Sequence, residues 1–342
     1  MPKVLFVGGP GNISSSAMEV LLEQHWEVGI LTLVDAATGG LERRARVFRG
    51  DRDLGDALRD AFTAFRPDVA VDVCCFTPAQ ARRTVEAMAL AVDQYVFVST
   101  CDVYGYPLSR LPMRVEDAKR PPVSQYARDK LVCEQIFAEA AARAGRSLTI
   151  VRPSYSFGVN FLLNLFSRKG GAEMVQRIRQ RRPLVVPGDG TTLMHAGSAW
   201  NAGRMLAAVV GARSAFGKSY TLAHEHAITH ADYYRLFGRV VGVEPEIVAV
   251  PSELLLPLEL RLIPDNLLSE LTRFNVCFSV DEFRADNPGF VWERTLQDAA
   301  AEYVQFHDRA KDWPAEVSNY EDRIVAAWRK CATSFWPFAR DR

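Results

Sequence analysis

The first half of the chain alternates short apolar runs with segments in which apolar residues recur every three or four positions. The apolar runs predict six strands, at residues 3–7, 27–34, 45–51, 68–76, 94–100 and 147–153. The helical periodicity predicts four helices, at residues 16–25, 54–65, 79–92 and 124–145. Near-continuous apolar strands that alternate with helices are typical of a parallel sheet with helices on both faces. We therefore predict an α/β fold built on a doubly wound parallel sheet.

The pattern loosens after about residue 155. A basic helix is predicted over residues 173–182, and a strand followed by a turn over residues 183–192. We expect residues 1–155 to form the larger domain and residues 156–342 a smaller lobe, with some strands and helices returning to the first core. The run RIRQRR (177–182) allows two interpretations, a solvated face or a set of phosphate contacts.

Composition narrows the class of protein. The 342 residues include 41 basic and 41 acidic ones, so no net charge favours binding to nucleic acid or an anionic membrane. The six cysteines form no C-x-x-C pair, which argues against a zinc site and, in a chain of this length, against a disulfide framework. No apolar stretch is long enough to span a bilayer. We expect a cytoplasmic protein with reduced thiols and no metal.

Three small residues, Gly8, Gly11 and Ser14, lie between the first predicted strand and the first helix. In a dinucleotide site the first glycine permits a tight turn, the second admits the pyrophosphate, and the third position lets helix and strand pack closely. The N–H groups at the start of the helix then attract the anion. Ser14 stands where a third glycine is usual, and a plain strand–helix turn is the alternative.

The end of the second strand normally carries an acid that binds the adenosine ribose. The corresponding position here is Thr32, and the next acid is Asp35. No arginine adjoins Thr32 in the sequence to hold a 2′-phosphate. We expect NAD as the cofactor for that reason, and the sequence leaves NADP open.

The second candidate motif is Tyr126 and Lys130 on the long predicted helix. A spacing of four residues places both side chains on one helix face. An ammonium near a phenol lowers the phenol's pKa, so the phenolate can take a proton from a hydroxyl while hydride leaves its carbon. The Thr100 hydroxyl, after the strand at residues 94–100, is expected to share that proton or orient the substrate. The alternative is a solvated Tyr and Lys on a helix surface.

Together, the runs GGPGNIS, GDRD (50–53), DVAVDVCCF, STCDVYG, YARDK and VRPSYSFG resemble the extended short-chain dehydrogenase/reductase family, also called the NAD-dependent epimerase/dehydratase family. The resemblance covers about residues 3–250 and implies a Rossmann-like sheet with a smaller C-terminal substrate-binding lobe. It implies a catalytic trio of Thr100, Tyr126 and Lys130, and a homodimer formed through the helices near residues 79–92 and 124–145. The cofactor contacts that it implies are Gly8, Gly11, Asn12, Ile13, Ser14, Thr32, Asp51, Arg52, Cys74, Cys75, Phe76, Tyr126, Lys130, Pro153 and Ser154.

Asp102 departs from the residue that simple 4-epimerases of this family carry. Once a ketone forms, the neighbouring C–H becomes acidic, and a second group is needed to move that proton. Asp102, together with Cys101, is a candidate for this group, and a local turn-capping role is the alternative.

We predict an NAD-dependent epimerase or dehydratase that acts on a nucleotide sugar, or a related nucleoside or sugar phosphate, through a transient ketone. Two alternatives remain at this stage. The first is an NADPH-dependent carbonyl reductase of the same fold. The second is an RNA-binding protein of the chloroplast stem-loop-binding type, against which the intact Tyr126 and Lys130 and the zero net charge argue.

Overall fold

The computed structural model describes residues 1–54, 56–88 and 90–334. The strands are β1 (Lys3–Val7), β2 (Glu27–Thr32), β3 (Arg46–Arg49), β4 (Val69–Asp72), β5 (Gln94–Val98), β6 (Ser147–Pro153), β7 (Tyr155–Phe157), β8 (Leu184–Pro187), β9 (Leu193–Met194), β10 (Ala196–Ser198), β11 (Ser219–Leu222), β12 (Ile228–Thr229) and β13 (Ile247–Val250). The α-helices are α1 (Ser14–Glu23), α2 (Ala57–Phe65), α3 (Pro78–Met88), α4 (Gln125–Ala144), α5 (Gly171–Arg179), α6 (Ala199–Val209), α7 (His230–Val241), α8 (Ser252–Leu255), α9 (Asp281–Asp286), α10 (Leu296–Ala310) and α11 (Tyr320–Thr333). Short 3₁₀ turns cover Leu41–Arg43, Cys101–Tyr104, Arg213–Ala215 and Leu256–Leu258, and a π-helical turn covers Leu268–Thr272.

Seven strands form one parallel sheet in the order β3-β2-β1-β4-β5-β6-β11. Alternate residues of β1 enter different cores: Val4 and Phe6 pack on one side of the sheet, and Leu5 and Val7 on the other. This is why the strands read as continuous apolar runs rather than as alternating ones. The predicted Rossmann-like, doubly wound α/β sheet is confirmed.

The carboxyl ends of the strands fall earlier than the hydropathy predicts. β2 ends at Thr32 rather than at residue 34, because Leu33 and Val34 are 55% and 67% exposed. β4 ends at Asp72 rather than at residue 76, so the segment from Val73 to Phe76 is a loop at the edge of the sheet. Because β2 and β4 end early, the residues after them form loops at the carboxyl edge of the sheet. This is the edge where open α/β sheets bind their ligands.

The chain divides into two compact units. The first comprises Met1–Ser156, His195–Glu225 and Phe278–Glu293, so the chain returns to it twice after β6. The second comprises Phe157–Met194, His226–Cys277 and the residues from Arg294 onward. In the second unit β8 pairs in parallel with β13, and α5, α7 and α11 each contact β8.

The basic run at 177–182 lies inside the second unit rather than on a phosphate site. Arg177 is 1% exposed and donates to both carboxylate oxygens of Asp322, on α11. Arg182 also donates to Asp322, and Arg179 donates to Asp308. Three of the four arginines in the run therefore have carboxylate partners within the fold, whereas Arg181 is exposed. The three paired arginines are not free phosphate contacts.

In the part of the chain that the structure describes, no helix is long and apolar enough to cross a membrane.

The homodimer that we expect to form through α3 and α4 stays a prediction.

Candidate active site

At Gly8 the turn after β1 has no room for a side chain. Gly8 adopts φ +92°, a left-handed conformation that favours glycine, and a Cβ there would lie 2.4 Å from the Cys74 Sγ. Gly11 donates its N–H to the Ser14 Oγ at 2.9 Å, and Ser14 is 3% exposed. Ser14 therefore braces the turn from inside at the position where a third glycine is usual, and the strand–turn–helix arrangement is intact.

A buried ion pair lies beneath this turn. Arg52 donates to both carboxylate oxygens of Asp72, at 2.6 and 3.0 Å, and to the Thr84 hydroxyl. The Tyr95 hydroxyl donates to the same carboxylate at 2.8 Å. The Arg52 side chain is 8% exposed, so its guanidinium belongs to the core. Any contact of Arg52 with an adenine would have to come from its backbone.

Cys74 connects the ion pair to the turn. Its thiol donates to the Val7 carbonyl and accepts from Arg52, and burial raises its pKa to about 11. Cys75, by contrast, is fully buried, and its thiol lies 4.0 Å from the Cys133 Sγ on α4. Of the two predicted cofactor contacts, Cys74 lines the turn and Cys75 packs in the core behind it.

The remaining residues predicted for the pyrophosphate and adenine stand at the same edge of the sheet. Asn12 donates from its side-chain amide to the Ser156 carbonyl at 2.7 Å, and Ile13 precedes the first turn of α1. Asp51 accepts the Asp53 N–H at 2.8 Å. Phe76 is 46% exposed and lies 6.4 Å from the Tyr126 ring, centroid to centroid.

Two observations agree with a bound dinucleotide. A Cβ at Gly8 would clash with Cys74, so the turn accepts only glycine at the position where a dinucleotide-binding turn has its first glycine. Ser154, which follows Pro153 at the end of β6, keeps a buried hydroxyl that has no hydrogen-bond partner among the described residues. Buried hydroxyls are nearly always paired, so this one is free to bind a ligand. Ser154 is the residue expected to lie near the nicotinamide.

The adenosine end contains a residue that sequence adjacency did not show. Thr32 is 7% exposed, and its partner in the parallel register of β3 is Arg49. The exposed Arg49 side chain donates to the Leu33 and Ala36 carbonyls, just beyond Thr32. No arginine adjoins Thr32 in the sequence, but the pairing of β2 with β3 places Arg49 beside it. The expectation that no arginine stands near Thr32 is therefore wrong.

Tyr126, Lys130 and Thr100 come together at the ends of β5 and the start of α4. The Thr100 hydroxyl lies close enough to the Tyr126 phenol to lower its pKa. Lys130 is 1% exposed and donates its ammonium to the Val98 carbonyl at 2.7 Å. Its Nζ lies 6.0 Å from the centre of the Tyr126 ring. Lys130 is thus enclosed, whereas Tyr126 on the same helix face is 42% exposed.

The electrostatics of Tyr126 differ from the sequence expectation. Burial raises the pKa of its phenol, the negative charge of Asp102 raises that pKa further, and the Thr100 hydroxyl lowers it. Lys130 was expected to lower the phenol's pKa, but its ammonium is directed to the Val98 carbonyl. In this arrangement Tyr126 is a neutral phenol, which suits it to hold or donate a proton.

Asp102 is positioned by both of its neighbours. The Tyr106 hydroxyl donates to its Oδ1 at 2.9 Å, and its own N–H donates to the Thr100 Oγ1 at 3.2 Å. Cys101 is 2% exposed and its thiol donates to the Arg152 carbonyl at 3.0 Å, while burial raises its pKa well above the usual value. The bond from Tyr106, four residues along the chain, makes Asp102 a bridge across this local turn, and the acid/base roles of Asp102 and Cys101 stay predictions.

Sequence reasoning missed the polar network under α4. Glu134 accepts two hydrogen bonds from Arg152, one from Ser99 and one from Lys119. Like Asp72 in β4, Arg152 is a single charge in an otherwise apolar strand, and such a charge requires a buried partner. The sequence therefore indicated that Arg152 needs a buried partner of opposite charge. The strand alone does not show that this partner is Glu134.

A parallel doubly wound sheet with a glycine turn after its first strand and a Tyr–Lys pair at its carboxyl edge defines a dinucleotide-binding protein of the Rossmann type. The family model described as "NAD dependent epimerase/dehydratase family" matches residues 4–220. The chain belongs to this family, as its motifs indicated, and the predicted NAD cofactor agrees with that membership.

Two curated proteins illustrate the range of relatives. The 2′-dehydrokanamycin reductase of Streptomyces kanamyceticus is 27% identical over 251 residues, which cover 73% of this chain and 70% of that protein. The UDP-glucose 4-epimerase of Azospirillum brasilense is 31% identical over 171 residues, which cover 44% of this chain and 48% of that protein.

Solved structures share the fold at low sequence identity. A Thermotoga maritima UDP-glucose 4-epimerase with UDP-glucose superposes with a TM-score of 0.72 at 16% identity, over 91% of this chain and 100% of that one. The Bifidobacterium longum UDP-glucose 4-epimerase in complex with NAD⁺ and UDP has a TM-score of 0.71, also at 16% identity and over the same shares of both chains.

The effect of Asp102 on Tyr126 gives a first prediction. Asp102→Asn removes the negative charge that raises the phenol's pKa, so tyrosinate should form at lower pH than in the wild type. The pKa of Tyr126 is measured by following tyrosinate absorbance against pH. The curve of the same protein with Tyr126→Phe is subtracted, so that the remaining signal belongs to Tyr126. A midpoint that stays in place or moves to higher pH would contradict the account.

Proposed function

We propose that the chain is an NAD-dependent enzyme that oxidises a hydroxyl of a sugar to a ketone and then restores the hydroxyl after an epimerisation or an elimination. The observation that carries this proposal is the cluster of Thr100 and Asp102, after β5, with Tyr126, at the start of α4. It combines a proton relay with a separate acid/base group. The bound cofactor supplies the acceptor and donor of the hydride.

Each residue of the cluster has a distinct task in this proposal. Tyr126 moves the proton of the substrate hydroxyl, and the Thr100 hydroxyl, which lowers the pKa of the phenol, shares that proton. Lys130, fixed on the Val98 carbonyl, brings a positive charge near the phenol ring. Asp102, aligned by Tyr106, moves the proton at the carbon next to the ketone.

The cofactor would be held along the same edge. Gly8, Gly11, Asn12 and Ile13 would surround the pyrophosphate, with Cys74 as the floor of the turn. Asp51 and Thr32 would lie at the adenosine, and the unpaired Ser154 hydroxyl would bind near the nicotinamide. A nucleotide sugar is the substrate class that we propose, since UDP-glucose 4-epimerases are among the relatives.

The variant Tyr126→Phe tests the mechanism. Loss of the phenol oxygen should reduce turnover of a UDP-sugar by about 10²- to 10⁴-fold, because proton transfer to the substrate oxygen is lost. NAD affinity and the circular dichroism spectrum should stay as in the wild type. Tyr303→Phe makes the same chemical change on α10 in the second unit and should leave turnover unaltered. Wild-type turnover in Tyr126→Phe would exclude the mechanism.

A net carbonyl reductase that uses NADPH is the second candidate function. Two observations favour it: Arg49 stands beside Thr32 where an acid is absent, and the chain is 27% identical to 2′-dehydrokanamycin reductase. A guanidinium at the end of the second strand is suited to a 2′-phosphate.

Arg49→Ala separates the two candidates. If Arg49 binds a 2′-phosphate, its loss should weaken NADPH binding by about tenfold or more and leave NADH binding unchanged. Arg46→Ala, at the opposite end of β3, is the matched control and should affect neither cofactor. Equal affinities of Arg49→Ala and the wild type for NADPH would remove the support for the reductase.

A further inference from the structure

The Lys130 ammonium lies among three aromatic rings. Its Nζ is 4.8 Å from the centre of the Phe97 ring, 5.1 Å from that of Phe76 and 6.0 Å from that of Tyr126. The rings come from three different elements of the first unit: β5, the loop after β4 and the first turn of α4. Ring faces attract a cation at such distances. The three rings therefore form an aromatic cage around the ammonium.

The ammonium in this cage has a single hydrogen-bond acceptor among the described residues, the Val98 carbonyl at 2.7 Å. It carries three N–H donors, and Lys130 is 1% exposed, so bulk water does not reach the other two. Asp72, whose charge acts on Lys130, already accepts hydrogen bonds from Arg52 and Tyr95. The other titratable groups that act on it are the thiols of Cys74, Cys75 and Cys133. The ammonium thus depends on the rings of the cage for the rest of its stabilisation.

Phe76 separates the ammonium from solvent. Phe97 is fully buried in β5, whereas Phe76 is 46% exposed and Tyr126 is 42% exposed. The rings of Phe76 and Tyr126 lie 6.4 Å apart, centroid to centroid, and form the solvent side of the cage. Phe76 does not belong to the apolar cores on either side of the sheet. Its ring can therefore be removed without opening a core.

A side chain of α3 fixes the loop that carries Phe76. The Gln80 Oε1 accepts the backbone N–H of Phe76 at 2.7 Å and that of Thr77 at 3.2 Å. The Gln80 Nε2 donates to Asp53 at 2.6 Å, and Arg83 donates to the same carboxylate. These bonds hold the backbone of Phe76 in the position from which its ring covers the ammonium.

We propose that Phe76 is a positioning residue for the reaction at Tyr126, because its ring closes the solvent side of the cage and keeps Lys130 dry and directed to the Val98 carbonyl. The inference rests on the proposed role of Tyr126 in proton transfer. Burial is the largest cause of the raised pKa of the Tyr126 phenol, ahead of the charge of Asp102. Water admitted to the cage would hydrate the phenol and favour tyrosinate. Phe76 therefore helps to keep the phenol neutral until a ligand covers it.

Acetylation by acetic anhydride, followed by mass spectrometry, measures the accessibility of Lys130 in the full chain with no cofactor added. Phe76→Ala should raise the rate of acetylation at Lys130 by about tenfold or more, because the reagent reaches the amine. Phe76→Tyr keeps the ring and should restore the slow rate. Phe306→Ala removes a phenylalanine of similar exposure from α10, in the second unit, and should react as the wild type does.

The titration of Tyr126 in the same variants is a readout that a merely structural role of Phe76 would not move. It is followed by tyrosinate absorbance, with the curve of the Tyr126→Phe counterpart subtracted. Phe76→Ala should lower the midpoint by about one pH unit, since it removes part of the burial that raises this pKa, and Phe76→Tyr should leave it in place.

Gln80→Ala provides an independent variant, because it releases the loop and keeps the Phe76 ring. It should change both readouts in the same direction as Phe76→Ala. An unchanged acetylation rate at Lys130 in Phe76→Ala, or a Tyr126 midpoint that does not fall, would overturn the inference. Neither measurement needs a substrate. Absence of UDP-sugar turnover in the wild type would therefore contradict the proposed function and leave these two results to decide the role of Phe76.

Discussion

The ion pair between Arg52 and Asp72 connects the elements on which the candidate site is built. It joins the loop after β3 to the end of β4, and it also contacts α3 through Thr84 and β5 through Tyr95. A buried ion pair stabilises a fold only when further hydrogen bonds satisfy its remaining donors and acceptors. Here the Asp72 carboxylate accepts hydrogen bonds from Arg52, from Tyr95 and from the backbone N–H of Cys74, so both of its oxygens have partners. The result is a fixed position for Cys74 under the Gly8 turn.

A second set of charges surrounds Tyr126 at the other end of the sheet edge. Asp102 raises the pKa of Tyr126, and Lys130 is fixed on a backbone carbonyl near the ring. The phenol is therefore neutral before any ligand binds, although a base is required to oxidise a hydroxyl. The site is arranged so that positive charge brought by a ligand would shift Tyr126 toward its base form.

The sequence predicted the parallel sheet, six of its seven strands and the helices α1 to α4, because apolar runs and motif spacing are local properties. It missed β11 and the flanking helix α6, and the site residues stay predictions. What it did not predict depends on pairing between distant segments. Arg49 reaches Thr32 only through strand register, and Arg52 lies inward because Asp72 requires a buried cation. The run at 177–182 illustrates the same limit, since its carboxylates come from α10 and α11, more than 100 residues later. Local charge patterns show where cations are, but only the fold shows which of them are free.

The central claim is that the Gly8 turn, closed from below by Cys74, binds a dinucleotide. Titration of the wild type and of Gly8→Ala with NAD tests this claim most directly. A Cβ at Gly8 would meet the Cys74 Sγ at 2.4 Å in a left-handed backbone conformation, so affinity should fall by about tenfold or more. At Gly289 a Cβ would meet nothing within 4 Å, so Gly289→Ala should bind NAD as the wild type does. NAD binding by the wild type that is lost in Gly8→Ala alone is the predicted result, and equal binding by the wild type and Gly8→Ala would contradict the account.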